Sequence, residues 1–351
     1  MHVEENKQLA PFTTFGIGGP ARWFTKALTE QDVAEAVTWA KSHQLPLFVL
    51  GGGSNLLVSD AGFSGLVLHI ALRGMSLASL IDSAILTAAA GEDWDHCVQY
   101  SVEANCAGLE CLAGIPGTVG GTPVQNVGAY GQEVASTIDR VRVFDTATET
   151  FTEFAAADCG FAYRRSRFNS TDRGRYIVTR VDYRLAPDAS PTLRYIDLQR
   201  AFPAGSNPTL TEVAAVVRQI RQKKGMLLVD GDPDCQSAGS FFKNPVVSEG
   251  DLPQIAEAAS ADPPRFPAGS GAEDTGRVKV PAAWLIEHAG FTKGHARGRA
   301  AISTRHTLAL TNRGDATAAE VLALADEIGA AVEARFGLRL EREPVLLGFE
   351  S

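Results

Sequence analysis

Leu47-Phe48-Val49-Leu50-Gly51-Gly52-Gly53-Ser54-Asn55 decides how this chain is read. Four apolar residues, enough for a short buried strand, run straight into three glycines and two small donors. Glycines let the backbone turn at positive φ and aim successive N–H groups into one concavity, which suits an anion. Ser54 and Asn55 add side-chain donors. A pyrophosphate fits such a loop, although a plain strand-exit turn uses the same residues. The stretch is not the usual dinucleotide fingerprint: no G-x-G-x-x-G opens a helix after a strand, and no Walker loop is present. A nucleotide held here is held by a different fold.

A second stretch runs from Gly114-Ile115-Pro116-Gly117-Thr118-Val119-Gly120-Gly121 through Asn126-Val127-Gly128-Ala129-Tyr130-Gly131. It carries six glycines in eighteen residues and no charge. Ordering so many glycines costs much entropy, which makes sense where a ligand approaches the backbone closely. Read as a long loop without secondary structure, it is expected to be functional. A third stretch, Thr13-Thr14-Phe15-Gly16-Ile17-Gly18-Gly19-Pro20, mixes donors and glycines. A fourth, Ser237-Ala238-Gly239-Ser240-Phe241-Phe242-Lys243-Asn244-Pro245, sets a hydroxyl, a cation and an amide beside two aromatics. That mixture suits a closed active site, and equally a strand with a polar edge.

Composition narrows the class. The 351 residues, 45% hydrophobic and 21% charged, allow two or three domains with ample cores. A net charge of −9 argues against nucleic acid or anionic membrane as partner, though local cations and backbone amides still bind a small anion. Cys97, Cys106, Cys111, Cys159 and Cys235 form no C-x-x-C pair, so neither zinc nor a disulfide framework is expected, and a reducing cytoplasm fits. No metal site is expected. Met1–Lys7 lacks a signal-peptide pattern, and no apolar run reaches the roughly 20 residues of a membrane span.

Periodicity predicts helices from Thr29, from Trp94 through Val102, from Thr211 through Ile220 and, behind the capping box Thr317-x-x-Glu320, through Val332 to Gly337. Strands are expected at Leu47–Leu50, Leu66–Leu68, Val141–Phe144 and Ile177–Val181, with a loop at Ala186–Pro191. Residues 258–277 read as an exposed insertion. Interleaved strands and helices make the class α/β or α+β.

These motifs, taken in order, resemble those of the UDP-N-acetylenolpyruvoylglucosamine reductase family. They are Thr14-Phe15-Gly16-Ile17-Gly18, Leu50–Asn55, Gly114–Gly131, Tyr163-Arg164-x-Ser166, Gly239–Pro245 and Leu340-Glu341-Arg342-Glu343. The resemblance implies an α+β fold: a two-subdomain FAD-binding fold of the vanillyl-alcohol-oxidase (PCMH) type plus a smaller α/β substrate domain. The implied boundaries are 1–71, 72–229 and 230–337, with 338–351 returning to the second subdomain. Leu193–Leu198 is similar to the type I capping loop, which makes Tyr195 the cap over the uridine nucleotide.

The implied activity is NADPH-driven, FAD-dependent reduction of UDP-N-acetylglucosamine enolpyruvate to UDP-N-acetylmuramate, a step of peptidoglycan precursor synthesis. That process serves cell wall biogenesis, cell shape and cell division. Motif matching gives the cofactor loops Thr14, Gly16, Leu50, Gly51, Gly52, Gly53, Ser54 and Asn55. It adds Gly114, Ile115, Pro116, Gly117, Gly120, Gly121, Asn126, Gly128, Ala129 and Tyr130. Arg164 matches the carboxylate partner, Ser240 the proton donor and Glu343 the second polarising group. Tyr163, Tyr195, Lys224, Asn244 and Glu287 match substrate contacts, with Lys223 an equal neighbour of Lys224. The two main cofactor loops contain no His or Cys, so dissociable FAD is expected. A monomer in the cytoplasm, acting on small molecules, completes the expectation. Another flavin oxidase or dehydrogenase of this cofactor fold would explain the glycine loops equally well, and a nucleotide-binding module would explain them in part.

Overall fold

The computed structural model describes residues 1–268 and 275–349. Two compact units emerge: Met1–Lys7, Ala21–Gly53 and Ser64–Gln222 form the first, and Gln8–Pro20, Ser54–Phe63 and Lys223–Ser351 the second.

In the first unit a four-stranded sheet runs in the order Val3–Gln8, Pro20–Ala27, Phe63–Ile70, Leu47–Leu50. The last two strands are parallel, with Leu47 opposite Leu66. Between Pro20–Ala27 and Leu47–Leu50 the chain forms the helix Glu30–Ser42. Thr29 accepts from the Asp32 N–H, and Asp32 takes the Thr29 N–H in return. That reciprocal box satisfies two of the donors a helix start leaves open. Val33, Ala36, Val37 and Ala40 form the buried face.

The second sheet of this unit is antiparallel, in the order Thr150–Ala155, Ile138–Asp145, Tyr176–Pro187, Ala84–Ala89, Met75–Ser79. Val141 lies opposite Val181, which lies opposite Ala88, and all three are fully buried. Helix Trp94–Glu103 covers this core, with the Trp94 ring 5.6 Å from that of Tyr183. The predicted loop at Ala186–Pro191 begins later than expected. Ala186 and Pro187 still belong to the strand, paired with Ala107 and Cys106. Helix Leu210–Lys223 likewise starts ahead of Thr211, because Thr209 and Glu212 cap each other.

In the second unit Val345–Leu347 pairs in parallel with Leu56–Val58. The sequence reading had returned residues 338–351 to the 72–229 segment; the register seen for this strand is with Leu56–Val58. Two small antiparallel sheets follow, Ala296–Arg297, Ala300–Ile302, Leu310–Asn312 and Val246–Ser248, Arg277–Lys279, Phe266–Pro267. Helix Ala318–Phe336 packs Val321, Leu324, Ile328 and Val332 into their core. Its start is held twice: by the Thr317–Glu320 box, and by Asp60, whose carboxylate accepts the N–H groups of Ala318 and Ala319. Gly337 ends it at φ +69°, the left-handed position that glycine fills without strain.

The expected exposed insertion at 258–277 is exposed over most of its described residues, and parts of it belong to regular elements. Ala258 and Ala259 end the helix Leu252–Ala259, and Phe266–Pro267 forms an edge strand on Arg277–Lys279. Residues 269–274 of that expectation lie outside the described residues. Among those described, no helix is long and apolar enough to cross a membrane.

Candidate active site

The first unit builds a backbone cradle. Strand Leu47–Leu50 ends at the buried Leu50 and delivers Gly51 and Gly52 against Gly117 and Thr118. A Cβ at Gly52 would stand 2.6 Å from the Gly117 Cα, and one at Gly51 would stand 2.8 Å from the Thr118 Oγ1. Only glycine permits that approach, which is why the two stretches read separately in the sequence become one surface. The second loop is pinned from below. Trp94 N–H donates to Gly117 O (3.1 Å), Val119 N–H to Glu92 O (2.9 Å) and Gly120 N–H to Ala90 O (2.8 Å). Gly120 repeats the close approach, since its Cβ would meet that of Ala90 at 2.7 Å. The Thr118 hydroxyl is buried and has no hydrogen-bond partner among the described residues. A buried hydroxyl left open costs free energy, so this atom is set up to meet a polar ligand.

Both ends of the second loop are tied to helices. The Gly114 N–H donates to Asp95 (2.5 Å) and its carbonyl accepts from Arg221 Nε (3.0 Å). Arg218 also pairs with Asp95. Arg221 is almost wholly buried. Burial pulls its pKa down, against the opposing pull of Tyr130, to which its side chain hydrogen-bonds, and of Asp95. The predicted structureless loop in fact contains the short helical turn Val119–Gly121 and the hairpin Gly128–Ala129 on Gln132–Glu133. Ile115, Pro116 and Gly121 line its surface, and Gly121 faces open space.

Three candidate residues without glycine's freedom take left-handed backbone here: Asn126 at φ +45°, Tyr130 at φ +49° and Arg164 at φ +54°. For Tyr and Arg that region is costly, and such strain gathers at functional sites. Arg164 sits with Tyr163 at the tip of a two-residue hairpin whose flanks, Ala162 and Arg165, exchange both backbone hydrogen bonds. Asn126 Nδ2 donates to Ala162 O (3.0 Å) and Ser166 Oγ to Val124 O (2.6 Å). The Arg164 hairpin is thereby fastened to the glycine-rich loop. Tyr195 lies edge-on to Tyr130, ring centroids 5.3 Å apart, and is about a third exposed (36%).

The second unit gathers the remaining candidates. Ser240 bridges to Ala309, and the next residue, Phe241, donates to Leu308 O and accepts from the Glu343 N–H at 2.9 Å. Phe242 bridges to Arg342. Asn55 Nδ2 donates to Glu343 O (3.2 Å), so Asn55, Ser240 and Glu343 share one corner. Thr14 Oγ1 donates to Ser237 O (2.6 Å), and Gly16, at φ +65°, lies below Asn312, whose Nδ2 donates to Phe15 O. Thr14 and Gly16 thus brace the Ser240 segment as well as lying in their own motif. Ser54 follows Gly53 into this unit.

Lys224 and Glu287 both act on a residue that sequence reading missed. His306 is pushed down to about 4 by burial first, then by Lys224 and Lys293, with Glu287 opposing. Glu287 accepts the Thr307 hydroxyl (2.5 Å). Asn244 has a structural task besides any ligand: its Oδ1 accepts the Ala282 N–H (2.9 Å) at the start of the helix that carries Glu287. Lys223 is more exposed than Lys224. No local pattern marked Arg221, Asp95 or His306, because their partners lie far away in the chain.

Comparison with known proteins now fits this geometry. Residues 22–154 match the family model for an FAD binding domain, which makes the chain a flavin-dependent oxidoreductase with FAD as cofactor and with the expected α+β flavin-binding fold. Residues 232–347 match the model for the C-terminal domain of UDP-N-acetylenolpyruvoylglucosamine reductase. The reductase of that name from Streptomyces coelicolor is 48% identical, over 97% of this chain and 89% of its own. That from Streptomyces avermitilis is 46% identical, over 100% and 97%. The crystal structure of the Thermus caldophilus reductase superposes with a TM-score of 0.68 at 28% identity, covering 99% of each chain. The chain belongs to the UDP-N-acetylenolpyruvoylglucosamine reductase family, whose members act in peptidoglycan precursor synthesis.

Proposed function

We propose that this chain reduces UDP-N-acetylglucosamine enolpyruvate to UDP-N-acetylmuramate with NADPH as electron source. The observation that carries the reading is the corner of the second unit where the Ser240 and Glu343 segments hydrogen-bond through Phe241. Family membership supplies the substrate class.

The residues fit FAD. Gly51, Gly52 and Gly120 offer backbone where any side chain would collide, and Thr118 brings a buried hydroxyl in need of a partner. Leu50–Asn55 and Gly114–Tyr130, with Thr14 and Gly16, would hold the cofactor without a covalent bond. FAD, when bound there, would supply the hydride chemistry that links NADPH to the terminal carbon of the enolpyruvyl double bond.

The chain's own residues do the rest. As that hydride arrives, negative charge gathers on the substrate carboxylate. Arg164 meets it with a guanidinium that forks onto two oxygens and stays charged at any working pH. Its left-handed hairpin, tied to the glycine-rich loop through Asn126 and Ser166, fixes the backbone that carries that fork. Glu343, in its acid form, donates to the same developing charge. Ser240 Oγ gives the proton to the neighbouring carbon, a task for a weak acid only where water is excluded. Tyr163 and Tyr195 close over the nucleotide, and Lys224, Asn244 and Glu287 contact the phosphates and sugar. Two flavin-gripping subdomains, 1–71 and 72–229, and a substrate domain, 230–337, remain our proposed division of labour, in a cytoplasmic monomer.

A product assay tests the reading. With NADPH and catalytic amounts of the FAD-loaded chain, mass spectrometry should find the sugar nucleotide converted to a species heavier by two hydrogen atoms. Recovery of unchanged enolpyruvyl sugar nucleotide while NADPH is consumed would overturn it.

A further inference from the structure

We propose that Glu110 is a positioning residue that sets the strap carrying Tyr195. The inference rests on the reading of Tyr195 as the substrate cap.

Glu110 is fully buried in the first unit, where a carboxylate is tolerated only if its oxygens are met by donors. One oxygen accepts the Thr192 N–H (3.0 Å) and the Gln132 side-chain amide (2.7 Å); the other accepts the Gly108 N–H (2.7 Å). Gln132 in turn accepts the Cys111 N–H (2.8 Å), and the Cys111 thiol donates to Thr192 O (3.2 Å). Thr192 therefore has both its N–H and its carbonyl held by one buried network.

Three residues on, the strap rises to an exposed crest, Arg194-Tyr195-Ile196. It comes down at Leu198, which is fully buried and whose N–H returns to Tyr195 O at 3.0 Å. The crest is thus a short arch between two fixed feet. Gly131 lets it lie close, since a Cβ there would stand 3.2 Å from that of Arg194. Gln132 ties the Thr192 foot to the end of the glycine-rich flavin loop. An arch fixed beforehand costs less to order when substrate binds, so loosening its foot should weaken substrate binding rather than slow the chemistry.

The test uses the full, FAD-loaded chain without substrate, followed by hydrogen–deuterium exchange over residues 190–198. In Glu110→Ala, exchange there should quicken about tenfold, the scale of one lost charge-assisted hydrogen bond, while the helix Glu30–Ser42 is unaffected. KM for UDP-N-acetylglucosamine enolpyruvate should rise by about the same factor, with kcat and flavin reduction by NADPH unchanged. Glu110→Gln, which keeps the volume and one accepting oxygen, should restore most of both. Should Glu110→Ala fail to fold, Thr192→Pro removes the strap's own donor and should give the same exchange and KM changes. Unaltered exchange, or a parallel fall in both half-reactions, would overturn the proposal. If Tyr195→Ala leaves KM unaltered, the capping reading is what fails, and the exchange rates still decide whether Glu110 anchors the strap.

Discussion

Ser240→Ala should stop reduction of the enolpyruvyl sugar nucleotide while NADPH still bleaches the flavin at a nearly normal rate. Removing one oxygen leaves the local frame intact. The bridge to Ala309, the Phe241 bonds to Leu308 and Glu343, and the Thr14 bond to Ser237 all use backbone groups of the Ser240 segment. What disappears is the proposed proton source. A positioned acid contributes about 10²–10⁴-fold to such a step, so substrate turnover should fall by about 10³-fold or more. Stopped-flow absorbance separates the halves: reduction by NADPH first, then reoxidation by substrate without oxygen. Equal losses in both would show a general disturbance and remove Ser240 from its role. A Ser240→Ala protein that still reoxidises rapidly would do the same.

Gly52→Ala should empty the protein of FAD. The new methyl would stand 2.6 Å from the Gly117 Cα and 2.8 Å from its carbonyl carbon, and both are backbone. No side chain can swing away, so one glycine loop must leave the other. Forced overpacking costs about 1–3 kcal/mol, which corresponds to a loss of FAD affinity approaching about 100-fold if the whole strain falls on the cradle. Gly329→Ala is the matched control. Gly329 lies inside helix Ala318–Phe336, where an added Cβ meets nothing within 4 Å. It should hold FAD like the parent and gain slightly in stability, since alanine suits a helix interior better. Equilibrium dialysis or flavin fluorescence reads both variants. FAD binding by Gly52→Ala within about twofold of the parent would mean that the cradle is softer than its backbone packing implies.

Local signals in the sequence carried much of this architecture. The Thr29–Asp32 and Thr317–Glu320 boxes and Gly337 each act within a few residues, so the helices they bound were legible. Strands with two buried faces, such as Leu66–Leu68, were legible for the same reason. The strand Thr150–Ala155 escaped because it is an edge, with four of its six residues exposed and little apolar pattern. Phe266–Pro267 escaped because two residues, one of them a proline, carry no period at all.

The candidate site divides along the same line. Glycine loops announce themselves by composition, but the contact of Gly52 with Gly117 joins positions 65 apart and appears only on folding. Arg164 was readable only by family resemblance; its left-handed hairpin and its ties to Asn126 and Ser166 are tertiary facts. Glu110 and Arg221 carry no signal of their own in the sequence. Besides the nearby Gly108 N–H, Glu110 is met by the Thr192 N–H and the Gln132 amide, and Arg221 donates to Gly114 O; these partners lie far along the chain, and no local pattern encodes them. Asn244 shows the reverse. Motif matching gave it to the substrate, while folding also assigns its Oδ1 to a helix start 38 residues away.

The most direct measurement is anaerobic absorbance of the FAD-loaded protein. One equivalent of NADPH should bleach the oxidised flavin band, and addition of UDP-N-acetylglucosamine enolpyruvate should restore it within the dead time of hand mixing. Flavin that stays reduced in the presence of that substrate, and reoxidises only when air is admitted, would contradict the reductase reading and point to an oxidase built on the same cofactor fold.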